Sequence, residues 1–289
     1  MKRSQFLSLL VGAVLTLPIT QALAQESEYT PPIGPEAHSS ESHRVSTNYC
    51  APGDIGNGCG PVVPQPALKA GQTPTDPSTP PLTTKVNPKD GLTYVWLTPG
   101  KFKMGCSAGD ADCDDDEKPV REVTIGRGYW IGQTLVTQAA YKRVTGENPS
   151  FFRDSDQLPV EKVEWGDAYE YCTSIGMRLP TEAEYEYAAR AGSPAPRWGD
   201  LDSIAWYKNN SNERTHEVAQ KKPNAWNLYD MLGNVWEYTT DPYKPENPVS
   251  VAMRGGSWMT RGTGIRTSYR GFDMADVKRK FTGFRCVGD

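Results

Sequence analysis

Histidine is scarce in this 289-residue chain: His38, His43 and His216 are all there are, and the first two lie in a proline-rich stretch. One histidine in the remaining sequence cannot build an iron site of two histidines and a carboxylate. No Cys-x-x-Cys occurs, which argues against structural zinc. An excess of positive charge is also missing. With 31 Lys and Arg against 35 Asp and Glu, the net charge of −4 argues against nucleic acid as the main partner. Beyond the first residues no apolar run is long enough to cross a bilayer, so no membrane span is expected.

What is present begins with the three parts of a secretory signal. Lys2 and Arg3 precede an apolar run from Phe6 to Leu17, and Ala22-Leu23-Ala24 has the small residues of a cleavage site. Residues 1–24 are therefore expected to direct export, placing the protein in the periplasm or outside the cell. Residues 25–87 hold eleven prolines and neither Trp nor Phe. Such a composition buries too little apolar surface to offset its ordering entropy, and it reads as a flexible N-terminal segment. All eight Trp residues lie between Trp96 and Trp258, so residues 88–289 are expected to form one domain.

The six cysteines suit an oxidising compartment. Cys50 with Cys59, and Cys106 with Cys113, are close enough to read as local pairs, leaving Cys172 and Cys286 as the third couple. Charge is uneven. The loop from Asp110 to Glu117 is acidic and reads as solvated, because it lacks the glycine and the final glutamate of a calcium-binding EF loop. Residues 254–285 are basic, with Arg254, Arg261, Arg266, Arg270, Lys278, Arg279, Lys280 and Arg285, and read as a mixed surface able to attract an anionic partner.

Regular elements are few. Gly91 to Met104 alternates like a hairpin, and Val120 to Trp130 like a second strand pair. Thr137 can cap a helix reaching Val144, and Asp167 to Ile175 reads as another. The clearest helix follows Pro180: Thr181 and Glu184 form a capping box, and Gly192 stops the run after Ala191. Glu182, Glu184 and Glu186 sit in and just after that first turn, where carboxylates complement the helix dipole, so their expected role is structural.

Four motifs follow in order: Arg178-Leu-Pro-Thr181-Glu-Ala-Glu184, Gly233-Asn-Val-Trp-Glu237, Arg254-Gly-Gly-Ser257-Trp258, and Gly283-Phe-Arg-Cys286. Together they resemble the formylglycine-generating-enzyme, or sulfatase-modifying-factor, family. The resemblance implies an α+β fold of the C-type-lectin-like kind, low in regular secondary structure, and a Cys172–Cys286 disulfide. It also implies a calcium (Ca2+) site from Asp230, the Gly233 and Val235 carbonyls and Glu237. These are hard oxygen donors suited to that ion.

The family's oxidases hold copper on two cysteines, and the matching positions here are Thr260 and Ile265. A hydroxyl and an alkyl group cannot replace thiolates for Cu(I), so copper and formylglycine generation are not expected. Ser257 has no partner base and reads as a polar residue in a tight turn. The resemblance thus leads to a binding or accessory/maturation factor of the cell envelope. It would use its C-terminal lectin-like face, Met259 to Thr282, for a protein, peptide or small-molecule ligand. The alternative is a divergent oxidoreductase acting on a peptide or small molecule, as in siderophore maturation, through a pocket around Trp236, Ser257, Trp258 and Arg266.

Overall fold

A computed structural model describes residues 82–289, and within them ten strands and four helices, each only a few residues long. The fold is α+β. Strands β1 (Thr84–Val86), β2 (Thr93–Leu97), β3 (Gly100–Met104), β4 (Arg121–Ile125) and β5 (Tyr129–Gly132) come first. Helices α1 (Gln138–Thr145), α2 (Trp165–Ser174), α3 (Glu182–Arg190) and α4 (Leu201–Ile204) follow, then β6 (Trp236–Lys244), β7 (Asn247–Arg254), β8 (Arg270–Met274), β9 (Thr282–Gly283) and β10 (Val287–Gly288). β1 starts before Pro88, and the Cys50–Cys59 pair lies outside the described residues.

The helices form where local signals place them. The Thr137 hydroxyl accepts the Ala140 N–H at the start of α1, and Gly146 closes that helix in a left-handed conformation. Thr181 and Glu184 make the reciprocal capping box of α3, which ends at Ala191 with φ 45°.

Strand pairing departs from the sequence reading. The stretches 91–104 and 120–130 each contain two strands, yet neither stretch pairs with itself. β3 pairs with β4, while β2 pairs with β5 in a four-stranded sheet ordered β1-β2-β5-β10. Alternation marks a half-buried strand without naming its partner, so the correction concerns the ladder rather than the strands. A second four-stranded sheet, β8-β7-β6-β9, is antiparallel except for the parallel β6–β9 edge.

The core is mostly aromatic. Tyr141 stacks on Tyr171 with centroids 5.4 Å apart, and Phe284 meets both rings edge-on. The Cys172–Cys286 disulfide lies fully buried in the same cluster and ties α2 to the C-terminal end. The Cys106–Cys113 bond closes the acidic loop. Among the described residues no helix is long and apolar enough to cross a membrane.

Candidate functional site

The Arg254–Ser257 turn brings the motif residues together. Gly255 and Gly256 both take positive φ, 90° and 76°. A Cβ at Gly256 would lie 2.6 Å from Ile265 Cδ1 and 3.4 Å from Thr260 Cγ2, so the side chains at both cysteine-equivalent positions flank this glycine. Ile265 is fully buried, in an apolar cluster with Ile204, Ala205, Tyr207 and Leu232. The Thr260 hydroxyl accepts the Ser257 N–H at 2.9 Å, and the two hydroxyls are 3.3 Å apart. Ser257 is buried and meets no titratable base in its hydrogen bonds. The position offers a hydroxyl and an alkyl group in place of soft ligands, so copper does not fit it.

Ser257, Trp258 and Arg266 are buried and Trp236 is half-buried. Trp236 packs over Gly271 and near Tyr269, and the Trp258 indole N–H donates to the Lys280 carbonyl. Arg266 is buried and takes Glu117 in a two-bond clamp of 2.6 and 2.7 Å, with Asp110 at 3.0 Å. None of the four lines the cleft of about 420 Å3 beside β4, which runs from Val123 to Tyr129 with Arg178, Thr181, Glu184 and Asp289.

That Arg266 clamp corrects the reading of the acidic loop as solvated. Asp110 and Glu117 turn inward, and the Asp116 carboxylate accepts the Tyr243 hydroxyl proton at 2.7 Å. The basic C-terminal surface is corrected in part, for Arg261, Lys278 and Lys280 stay exposed while the other arginines turn inward or pair. Arg254, Arg266 and Arg285 are buried, Arg270 binds Glu182, and Arg279 binds Asp273. Residues 264–268 are likewise buried rather than exposed. The three glutamates of α3 are structural as expected, but through arginine partners more than through the dipole: Arg178 holds Glu184, and Arg190 and Arg254 share Glu186. Nothing in sequence spacing reveals these pairs, whose members lie up to 156 residues apart.

The oxygen-donor positions lie on a tightly turned segment. Asp230, Gly233 and Asn234 all have positive φ, and a Cβ at Gly233 would meet the Trp206 carbonyl at 2.3 Å, so only glycine fits there. Asp230 and Glu237 are buried. Arg285 donates to both Glu237 oxygens at 2.6 and 2.8 Å, and the Tyr185 hydroxyl donates at 2.9 Å. The Ala219 N–H donates to Asp230 at 2.8 Å. Burial nevertheless pushes the Asp230 carboxyl up to about 6, and it raises Glu237 against the pull of Arg285. Arg285 bonds Glu237 and acts on Asp230 only through space. Asp230 and Glu237 are hard oxygen donors of the type calcium takes.

His216 is more than a loop residue. Its ring stacks on Trp206 at 3.7 Å, one ring nitrogen lies 2.7 Å from the Ser211 carbonyl, and burial lowers its pKa. Lys221 covers Trp206 at 3.8 Å.

The fold, the Gly-Gly-Ser turn and the Glu237–Arg285 pair define the class. The chain belongs to the family of the Sulfatase-modifying factor enzyme 1-like domain, whose model matches residues 81–289. It is 34% identical over 239 residues to the formylglycine-generating enzyme of Mycobacterium tuberculosis, covering 69% of this chain and 75% of that one. To the chaperone protein LppX of Paenibacillus barcinonensis it is 30% identical over 232 residues, covering 58% of this chain and 82% of the relative. The inactive C-alpha-formylglycine-generating enzyme 2 of Mus musculus is 32% identical over 172 residues, 53% of this chain and 56% of that one. Among solved structures, PvdO from Pseudomonas aeruginosa superposes with a TM-score of 0.65 at 25% identity, over 73% of this chain and 100% of PvdO.

Proposed function

We propose that this protein is an exported member of the family that has left oxidase chemistry and uses the scaffold as a binding or accessory factor. One observation carries the reading. Where the oxidases place two thiolates, this chain has a hydroxyl bonded to the turn and a branched alkyl group sealed in an apolar cluster. A site without soft donors does not hold Cu(I), and fold alone does not restore an activity. Relatives named as a chaperone and as an inactive enzyme agree with that direction.

The signal-like N-terminus and the disulfides support export. Asp230, Glu237 and the carbonyls of Gly233 and Val235 are the residues that would hold calcium. The ion would offset the buried negative charge and stiffen the turn beneath the Gly-Gly-Ser segment. Its contribution is structural.

The test is direct. The purified chain, loaded with copper in the presence of oxygen, is incubated with a cysteine-containing sulfatase peptide and the product is weighed by mass spectrometry. No aldehyde product and no stoichiometric copper are expected. Conversion of the peptide would overturn the proposal.

A further inference from the structure

Beside the Ser257–Thr260 turn lies a surface that no catalytic reading uses. Phe151 is 60% exposed, the highest value among the large aromatic side chains described. It meets Phe152 edge-on at 5.0 Å, and Phe152 meets Trp258 edge-on at 5.9 Å. The Lys280 ammonium sits over both outer rings, 5.6 Å from Phe151 and 5.7 Å from Trp258. Met259, next in the chain, is 37% exposed.

The exposed cations around these rings have no carboxylate partner among the described residues. Elsewhere in the C-terminal region most arginines are held by carboxylates. Lys208, Arg261 and Lys280 are exposed, and no carboxylate lies within ion-pair distance of any of them among the described residues. Backbone contacts bring all three to the segment around Thr260 and Trp258. Lys208 donates its backbone N–H to the Thr260 carbonyl at 3.0 Å, Arg261 follows Thr260, and the Lys280 carbonyl holds the Trp258 indole. Nearby Arg214 is neutralised by Asp154, while Glu213 and Glu217 in the adjoining loop keep their charge, Glu217 accepting a hydrogen bond from the Ser155 hydroxyl.

The loop carrying the phenylalanines is firmly anchored. Glu161 is fully buried, and one of its oxygens accepts the N–H groups of both Phe151 and Phe152, at 2.6 and 2.8 Å. An exposed ring on an anchored backbone loses little entropy when it is covered, which suits a binding anchor.

We infer that the face formed by Phe151, Met259, Lys208, Arg261 and Lys280, above the buried Trp258, docks an acidic peptide segment carrying an aromatic or large apolar side chain. The apolar side chain packs on Phe151 and Met259, and neighbouring carboxylates pair with Lys280, Lys208 and Arg261. Charge complementarity selects the occupant. A cationic or neutral peptide would leave three free cations facing it, whereas an acidic one neutralises them and adds to the aromatic contact. The exposed Phe151 and Met259 beside the cations favour a peptide with an apolar side chain over a nucleic acid strand. The inference rests on the binding-factor reading and names its ligand class.

Fluorescence anisotropy tests it on the purified full chain. The probe is a labelled peptide alternating glutamate with phenylalanine and tryptophan. A lysine-for-glutamate counterpart, a glutamate–serine peptide without aromatics, and a labelled oligothymidylate serve as comparisons. Saturable binding of the acidic aromatic probe alone is expected. It should weaken about tenfold in Phe151→Ala and in Lys280→Glu, and fall with added salt. Both side chains are exposed, so melting should be unchanged. If either variant melts early, Lys208→Glu with Arg261→Glu replaces it in the comparison.

No saturable binding of the acidic aromatic probe would overturn the proposal, as would equal binding by well-folded variants or preference for the oligothymidylate. The two readings fail separately. Aldehyde formation in the copper assay would defeat the non-oxidase reading whatever binds here, and absence of peptide binding would leave that assay's result standing.

Discussion

Arg285 and Glu237, 48 residues apart, meet in a buried two-bond ion pair in which the guanidinium also donates to the carbonyls of Gly132 and Tyr229. The pair joins the last motif of the chain to the second, and it stands next to Asp230, whose carboxyl burial pushes up to about 6. Substituting either partner should do more harm than losing a surface salt bridge, because the other is left charged and buried. The expected cost is about 3–5 kcal/mol. Calcium binding makes a second, separable prediction for Glu237→Ala. The melting temperature of the wild-type chain should rise when calcium replaces a chelator, and that increment should vanish in the variant. An increment that survives would remove Glu237 from the metal site.

Glu161 gives a pH signature. Burial raises its carboxyl to about 7 against the backbone N–H groups of Phe152 and Phe151, and its second oxygen has no hydrogen-bond partner. In the unfolded chain the same group titrates near 4.5. Between those values the folded state holds the extra proton, so this residue's contribution to stability declines as pH rises from about 4.5 to about 7. Glu161→Gln keeps an acceptor for the two N–H groups and removes the charge. At pH above 7 it should therefore be more stable than wild type, by on the order of 2–3 kcal/mol at most, and its stability should vary less across that range. Denaturant unfolding at several pH values measures this, and a variant less stable at high pH would show that the carboxylate is stabilising.

The Cys172–Cys286 bridge spans 114 residues and sits in the aromatic core. Replacing both cysteines with alanine should cost roughly 4–5 kcal/mol, mostly by freeing the unfolded chain. A peptide map without reductant should find the two half-cystines linked. Either thiol found free would break the assignment.

Restoring the ligands tests what the Gly-Gly-Ser turn still holds. With Thr260→Cys and Ile265→Cys together, both thiols would flank Gly256, as the present side chains do. One equivalent of Cu(I) should then bind, while either single variant and the wild type bind none tightly. Loss of the buried Ile265 side chain should lower stability by about 2–4 kcal/mol. A well-folded double variant without copper affinity would mean that more than the two ligands has been lost.

Much was legible locally. The Thr181–Glu184 capping box placed α3 with its stop at Ala191, and the Thr137 cap placed α1, because capping is decided within four residues. The replacements at 260 and 265 were equally plain, since ligand chemistry depends on residue identity. Pairing was not legible. Gly91 to Met104 looks like a hairpin, yet β2 and β3 join different sheets. His216 carried no mark of its stack on Trp206, because ring contacts between loops leave no periodicity.

The sequence alone determined the family frame, the absent thiolates and the caps of α1 and α3, each set by residue type or by neighbours along the chain, whereas α2 begins two residues before the expected Asp167 and α4 was not foreseen. Tertiary structure decided which charges are free. A glutamate such as Glu117 and an arginine such as Arg266 look like solvated surface in one dimension. Only the fold brings them within 2.6 Å in a buried site, where each compensates the charge of the other. By the same account it leaves Lys208, Arg261 and Lys280 without carboxylate partners near the exposed Phe151 ring, and so it is the fold that distinguishes these exposed cations from the buried arginines that hold the molecule together.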